Sequence, residues 1–316
     1  MENRSSKARV NIADLAFRIL AAICAVSIIA VMVAIALQLF AGSTLSMSEF
    51  GWRFLIDRSW NPVTGQFGAA SSIYGTLVST LIAMILAAPM ALIIALFLVE
   101  LSHPVLARIV GGAIELLAAI PSIIYGMWGL FVLAPIMQRS VEPWLQSLLG
   151  DIPIIRALFE GPPMGIGMLT AGIILALMIL PFITAVTRDV LNMVPGVLKE
   201  AAHGFGATMW EVTRIVSIPY GIRGIVGAMF LGLGRAIGET MAVTFVIGNS
   251  HRISASLFEG GNSIASAIAL EFGEAMNDPV FRSVLIELGL ILFLITVIFQ
   301  IVAQLWLVSL KKQGHR

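Results

Sequence analysis

Long uninterrupted apolar runs, not alternations of apolar and polar positions, dominate the chain. A hydrocarbon core about 30 Å thick is crossed by about 20 apolar residues in a helix. Six stretches meet that length: 19–41, 72–99, 109–137, 166–187, 225–248 and 284–310. The first carries no charge, the second contains Pro89, the third Glu115 and Pro121, and the fourth Pro181. Proline breaks soluble helices, but neighbouring helices in a membrane bundle can re-satisfy the freed carbonyls. Each stretch is therefore expected to remain one span. No segment of about 10 residues alternates as a lipid-facing strand would, which argues against a β-barrel. The pattern predicts an all-α polytopic membrane protein with six transmembrane helices.

Composition closes the other classes. Of 316 residues, 59% are hydrophobic and 12% charged, and the mean hydropathy is +0.98; a soluble domain carries about 25% charged residues. No Gly-X-Y period occurs, and Cys24 is the single cysteine, which excludes collagen and disulfide scaffolds. A net charge of +1 gives no pull toward nucleic acid. The lipid bilayer is the expected surrounding.

The few charges orient the chain. Twelve of the 19 Lys and Arg residues fall on the side of the two termini and the 188–223 segment, six on the other, and Arg235 inside the fifth stretch. Acidic residues divide six against nine, leaving +6 and −3. The positive-inside rule then puts both termini in the cytoplasm. The basic start (Arg4, Lys7, Arg9) precedes an apolar run longer than the 7–15 residues of a signal core, so an uncleaved first span is expected. The long outer loops, 42–71, 138–165 and 249–283, carry Trp52, Trp60 and Trp144, which suit the membrane interface. Residues 264–276 predict a short amphipathic helix outside the bilayer. The organisation expected is a tail, first span and outer loop over 1–71, a five-helix core over 72–310, and a tail over 311–316.

The cytoplasmic segment 195–220 reads PGVLKEAAHGFGATMWEVTRIVSIPY. Pro195 presets a helix start, and Gly204 and Gly206 weaken the helix and let another backbone approach. The spacing Glu200-Ala201-Ala202, three residues, Gly206, nine residues, Val-Ser-Ile-Pro resembles the EAA signature of the membrane subunits of ABC importers, usually written E-A-A, three residues, G, nine residues, I-x-L-P. Val stands for Ile and Ile for Leu. The resemblance implies the type I importer permease fold and a coupling helix at about 195–209 that docks on a separate ATP-hydrolysing subunit. This chain has no G-x-x-x-x-G-K-[ST] phosphate cradle. No cofactor is expected here; ATP and Mg belong to the partner ATPase subunits, and the chain is not itself an enzyme.

Arg235 and Glu239 lie near the middle of the fifth stretch. A lone charge at that depth costs about 2.5–3.5 kcal/mol on insertion scales. Their i,i+4 spacing places them on one helix face, able to pair, while Gly234 and Gly238 form a small-xxx-small step for a second helix. A guanidinium offers two parallel donors to an oxyanion, Glu239 would neutralise it in the absence of substrate, and Thr240 and Thr244 add hydroxyls. A purely structural ion pair is the bland alternative. The run Gly-Arg-Ala-Ile-Gly-Glu-Thr-Met-Ala-Val (234–243), with Glu-Leu-Leu-Ala-Ala-Ile-Pro-Ser-Ile-Ile-Tyr-Gly-Met-Trp-Gly (115–129), resembles the Pst phosphate permeases, the PstC branch more than the related PstA. That likeness implies phosphate import across the cytoplasmic (inner) membrane. The implied partners are a homologous PstA-like permease, two PstB-like ATP-binding subunits and an extracytoplasmic PstS-like phosphate-binding protein. Import of sulfate, molybdate or phosphonate, or a non-conducting sensor of phosphate status, are the competing readings. Glu115 and Glu287 are structural or gating; the four scattered histidines imply no metal site, and no catalytic triad is evident.

Overall fold

The computed structural model describes residues 12–313 apart from 151 and 154. The basic residues Arg4, Lys7, Arg9 and Arg316 lie outside them. Strands β1 (Trp60–Asn61) and β2 (Gln66–Phe67) form a small antiparallel hairpin. The rest of the regular structure is helical. Helix α1 is Ile12–Phe50, α2 Ala70–Leu101, α3 Pro104–Ala118, α4 Ser122–Leu149 and α5 Met168–Asn192. There follow α6 Gly196–Gly204, α7 Met209–Ile237, α8 Met241–Thr244, α9 Ile264–Ala275 and α10 Pro279–Gln313. Five helices, α1, α2, α5, α7 and α10, are long and apolar enough to cross a membrane, and α3 with α4 makes a sixth, bent pair. This is an integral membrane protein.

The core forms where α2 meets α5 and α5 meets α7. Helix α2 turns small residues inward at steps of three or four: Ser72, Thr76, Ser79, Ala83, Ala87 and Ala91 are all buried. In lipid a leucine gains nothing by leaving hydrocarbon, so small residues that admit close backbone approach supply the packing energy. Two hydroxyls in this stripe bond locally, Thr76 to the Ser72 carbonyl at 2.8 Å and Ser79 to the Gly75 carbonyl at 2.7 Å, while Ser72 Oγ accepts from Asn262 Nδ2 at 2.9 Å. Helix α5 answers with bulk, including buried Ile174, Met178, Ile179 and Ile183. Helix α7 closes against it at Gly232, where a Cβ would lie 2.6 Å from Ile183 Cδ1.

Pro89 and Pro181 sit inside unbroken helices, as expected. Pro121 does not. It adopts φ −57°, ψ 137°, ends the helical path, and leaves α3 and α4 bent by 91°. The expected single span over 109–137 is thus two helices. Proline removes a donor and drives the preceding residue out of the α region, and here the freed turn is taken up by Tyr125, whose hydroxyl donates to the Leu117 carbonyl at 2.9 Å.

The expected short helix over 264–276 forms as α9, started by a reciprocal Ser263–Ser266 cap. Its Glu271 is held from two sides: Trp60 Nε1 donates at 2.8 Å, and His251 Nε2 lies 2.9 Å away. Trp60 also stacks on His251 at 4.7 Å. Trp52 and Trp144 are exposed, but Trp60 is folded inward, not set at the interface. In the same loop Asp57 accepts the Ser59 amide and hydroxyl, which hold its carboxyl below the usual carboxylate range.

Candidate functional site

Two regions carry the sequence-predicted residues, and the helix ends explain both. The first is α6. None of its residues is buried, and Glu200 and Ala201 are exposed with Ala202 half-buried. It ends in a Schellman motif: the Ala207 amide donates to the Ala202 carbonyl at 3.1 Å and the Gly206 amide to the His203 carbonyl at 2.9 Å. Gly206 has φ +87°, and nothing lies within 4 Å of where its Cβ would be. The glycine is needed for its dihedral, not for close approach of a backbone in this chain. The chain then restarts through a capping box at Thr208 and Glu211, a T-x-x-E signature visible in the sequence. Between the two caps Phe205 is 94% exposed, and Val197 and Trp210 are also exposed.

Helix α6 is tied to the bundle by a residue that sequence reasoning missed. Glu100, in the last turn of α2, is half-buried with its side chain largely shielded, and accepts from Lys199 Nζ at 2.8 Å and Ser217 Oγ at 2.7 Å. Its turn, Phe97–Leu101, and that of Ser217, Thr213–Ser217, are both wound as π-helix. Such turns recur at functional sites.

The second region is the fifth stretch, which is shifted and broken relative to expectation. Helix α7 begins at Met209 and ends at Ile237, with Gly238 as its cap at φ −90°, ψ 3°. Arg235 and Glu239 therefore do not share a helix face, and they form no ion pair among the described residues. Glu239 instead accepts the Ala242 amide at 3.2 Å, capping the single turn of α8. Thr240 donates to the Gly238 carbonyl at 3.4 Å and Thr244 to the Thr240 carbonyl at 2.8 Å. Glu239, Thr240 and Thr244 thus hold the break together.

Arg235 is left exposed on a glycine-lined face. Among the described residues, a Cβ on Gly227 or Gly234 would meet no atom within 4 Å and one on Gly238 only the Gly234 carbonyl, so no described helix packs closely on the Gly234–Gly238 step. The guanidinium makes no hydrogen bond or ion pair among the described residues. It lies 5.8 Å over the Phe182 ring, and Tyr125 at the α3–α4 bend is within its electrostatic range. A free guanidinium beside open backbone can take an oxyanion edge through two parallel N–H donors.

The remaining acids separate. Glu115 accepts from Arg188 Nη2 at 2.6 Å, at a cavity of about 450 Å³ also lined by Arg108 and Asn192. Glu287 is buried on α10 beside Ser46 of α1.

Residues 70–307 match the model of the binding-protein-dependent transport system inner membrane component. The chain belongs to that family. Within the transport-component family it is 52% identical to the phosphate transport system permease protein PstC of Mesorhizobium japonicum, over 96% of this chain and 92% of that one. It is 48% identical to PstC of Pasteurella multocida over the full length of both. Among solved structures it resembles a bacterial alginate ABC transporter (TM-score 0.59, 15% identity, 90% and 92% coverage). It also resembles the MetNI methionine ABC transporter in an inward-facing form (TM-score 0.52, 18% identity, 77% and 94% coverage). The fold is thus that of an ABC importer permease, and the chain is a permease subunit.

Proposed function

We propose that this chain carries inorganic phosphate across the cytoplasmic membrane as one of two permease subunits of an ATP-driven importer, with both termini in the cytoplasm. ATP hydrolysis takes place on two separate subunits that use Mg, and an extracytoplasmic binding protein delivers the anion to the long-loop end. The observation that carries the reading is Arg235: a guanidinium with no hydrogen bond or ion pair among the described residues, at a break in an apolar helix, on a face that the described residues leave open. A second, homologous permease supplies the opposite wall, and phosphate passes between them. The relatives named phosphate permeases support phosphate over other oxyanions. The exposed apolar residues of α6 and its following turn provide the surface for the ATPase subunit.

The testing experiment is uptake of radiolabelled phosphate into vesicles holding the assembled complex, with sulfate and molybdate as competitors. Arg235→Gln in a normally assembled complex is expected to lower uptake at least tenfold. Undiminished uptake would remove Arg235 from the path, and effective competition by sulfate or molybdate would change the substrate.

A further inference from the structure

At Glu100 the exposed helix α6, the foot of α7 and the end of α2 meet on a single atom. Its Oε1 receives both Lys199 Nζ, from the residue before Glu200 on α6, and Ser217 Oγ, from the π-wound turn of α7. The carboxylate side chain is 6% exposed and that of Lys199 21%, so water competes weakly for the pair. No residue of α6 is buried, so the packing that usually transmits displacement between helices is weak here. Both turns that carry the clamp are π-wound, at Phe97–Leu101 and Thr213–Ser217; a π turn can take up an extra residue without breaking the helix on either side.

We infer that Glu100 is a positioning residue that transmits movement of α6 to α2 and α7 together, so that a displacement imposed on the exposed helix reaches the Arg235-bearing helix. This rests on the reading of α6 as the docking element. Lys199 pulls on the carboxylate when α6 moves. Ser217 carries the displacement into α7, whose far end holds Arg235. The backbone of Phe97–Leu101 carries it into α2, the helix with the small-residue stripe. A charged tether that is largely shielded from water is suited to this, because charge-assisted hydrogen bonds are short and strong and so fix the separation of the elements they join.

The test uses the complete complex in proteoliposomes and reads phosphate transported per ATP hydrolysed. Glu100→Gln and Lys199→Gln are each expected to assemble with the ATPase subunit but to lower that ratio at least fivefold. The exchanged pair Glu100→Lys with Lys199→Glu is expected to restore it to at least half. If a single variant does not assemble, the other and the exchanged pair decide. A wild-type ratio in either assembled single variant, or no recovery in an assembled exchanged pair, overturns the inference. Phe205→Glu serves as the separate control: its failure to reduce ATPase-subunit recovery would overturn the docking reading itself, whatever the Glu100 variants do.

Discussion

The amide of Ala207 donates to the carbonyl of Ala202 at 3.1 Å, and that bond explains why a glycine stands four residues after the second alanine of the signature. The chain must turn left-handed between them, and Gly206 does so at φ +87°. A left-handed conformation costs a residue with a Cβ about 1–2 kcal/mol. Gly206→Ala is expected to loosen the end of α6 by that amount, and Gly206→Val by more. Asparagine tolerates this region better, so Gly206→Asn is expected to retain more ATPase-subunit binding than alanine, measured by co-purification.

Arg235→Lys separates charge from geometry. Hydrogen bonds to charged groups contribute about 1.5–3 kcal/mol. Loss of the planar fork with the charge kept is therefore expected to leave uptake between wild type and Arg235→Gln. Initial rates over a range of external phosphate measure it.

Two glycines of the bundle are expected to respond in opposite directions. A Cβ on Gly75 would collide with the Asn262 carbonyl, which is backbone and has little room to move. Gly75→Ala is expected to destabilise by about 1–3 kcal/mol, as overpacking does. Gly227 meets nothing within 4 Å inside a helix, so Gly227→Ala is expected to be neutral or to stabilise by about 0.4–1 kcal/mol. Thermal unfolding of the purified chain in detergent compares them.

Trp60→Phe preserves an aromatic ring against His251 while removing the N–H that donates to Glu271. The loss of a bond to a carboxylate is expected to cost about 1.5–3 kcal/mol, less to the extent that water replaces it. It is expected to raise proteolysis of the first outer loop, while α2 and α5 stay protected.

Hydropathy made the spans legible, because a bilayer demands about 20 apolar residues whatever their neighbours do. It could not distinguish Pro121, which bends the chain by 91°, from Pro89 and Pro181, which do not. At Pro121 the freed turn is taken up by the Tyr125 hydroxyl on the Leu117 carbonyl, a contact that hydropathy does not encode. Gly238 was legible as a small residue, but its place at the end of a helix depends on Glu239 reaching the Ala242 amide. Glu100 was the least legible: its partners are 99 and 117 residues away, and a glutamate at the edge of a span looks like any interfacial acid. The spacing of Glu200, Ala201, Ala202 and Gly206 was legible in the sequence, whereas the reason for the glycine required a dihedral.

Helix α1 touches its own chain over little of its length. Residues 14–35 are all exposed, and burial begins near the end, where Ser46 donates its amide to Ser283 Oγ at 3.0 Å and Ser283 donates to the Gly42 carbonyl at 2.8 Å. A helix with internally bonded backbone and an apolar surface is stable in lipid before it meets anything else. Insertion and docking are therefore separate events for α1. It is moored along one half, where Leu39, Gly42 and Phe50 pack against α10 and its neighbours, while its other half meets lipid, so release of that one seam would free α1 with the core formed by α2, α5 and α7 left folded.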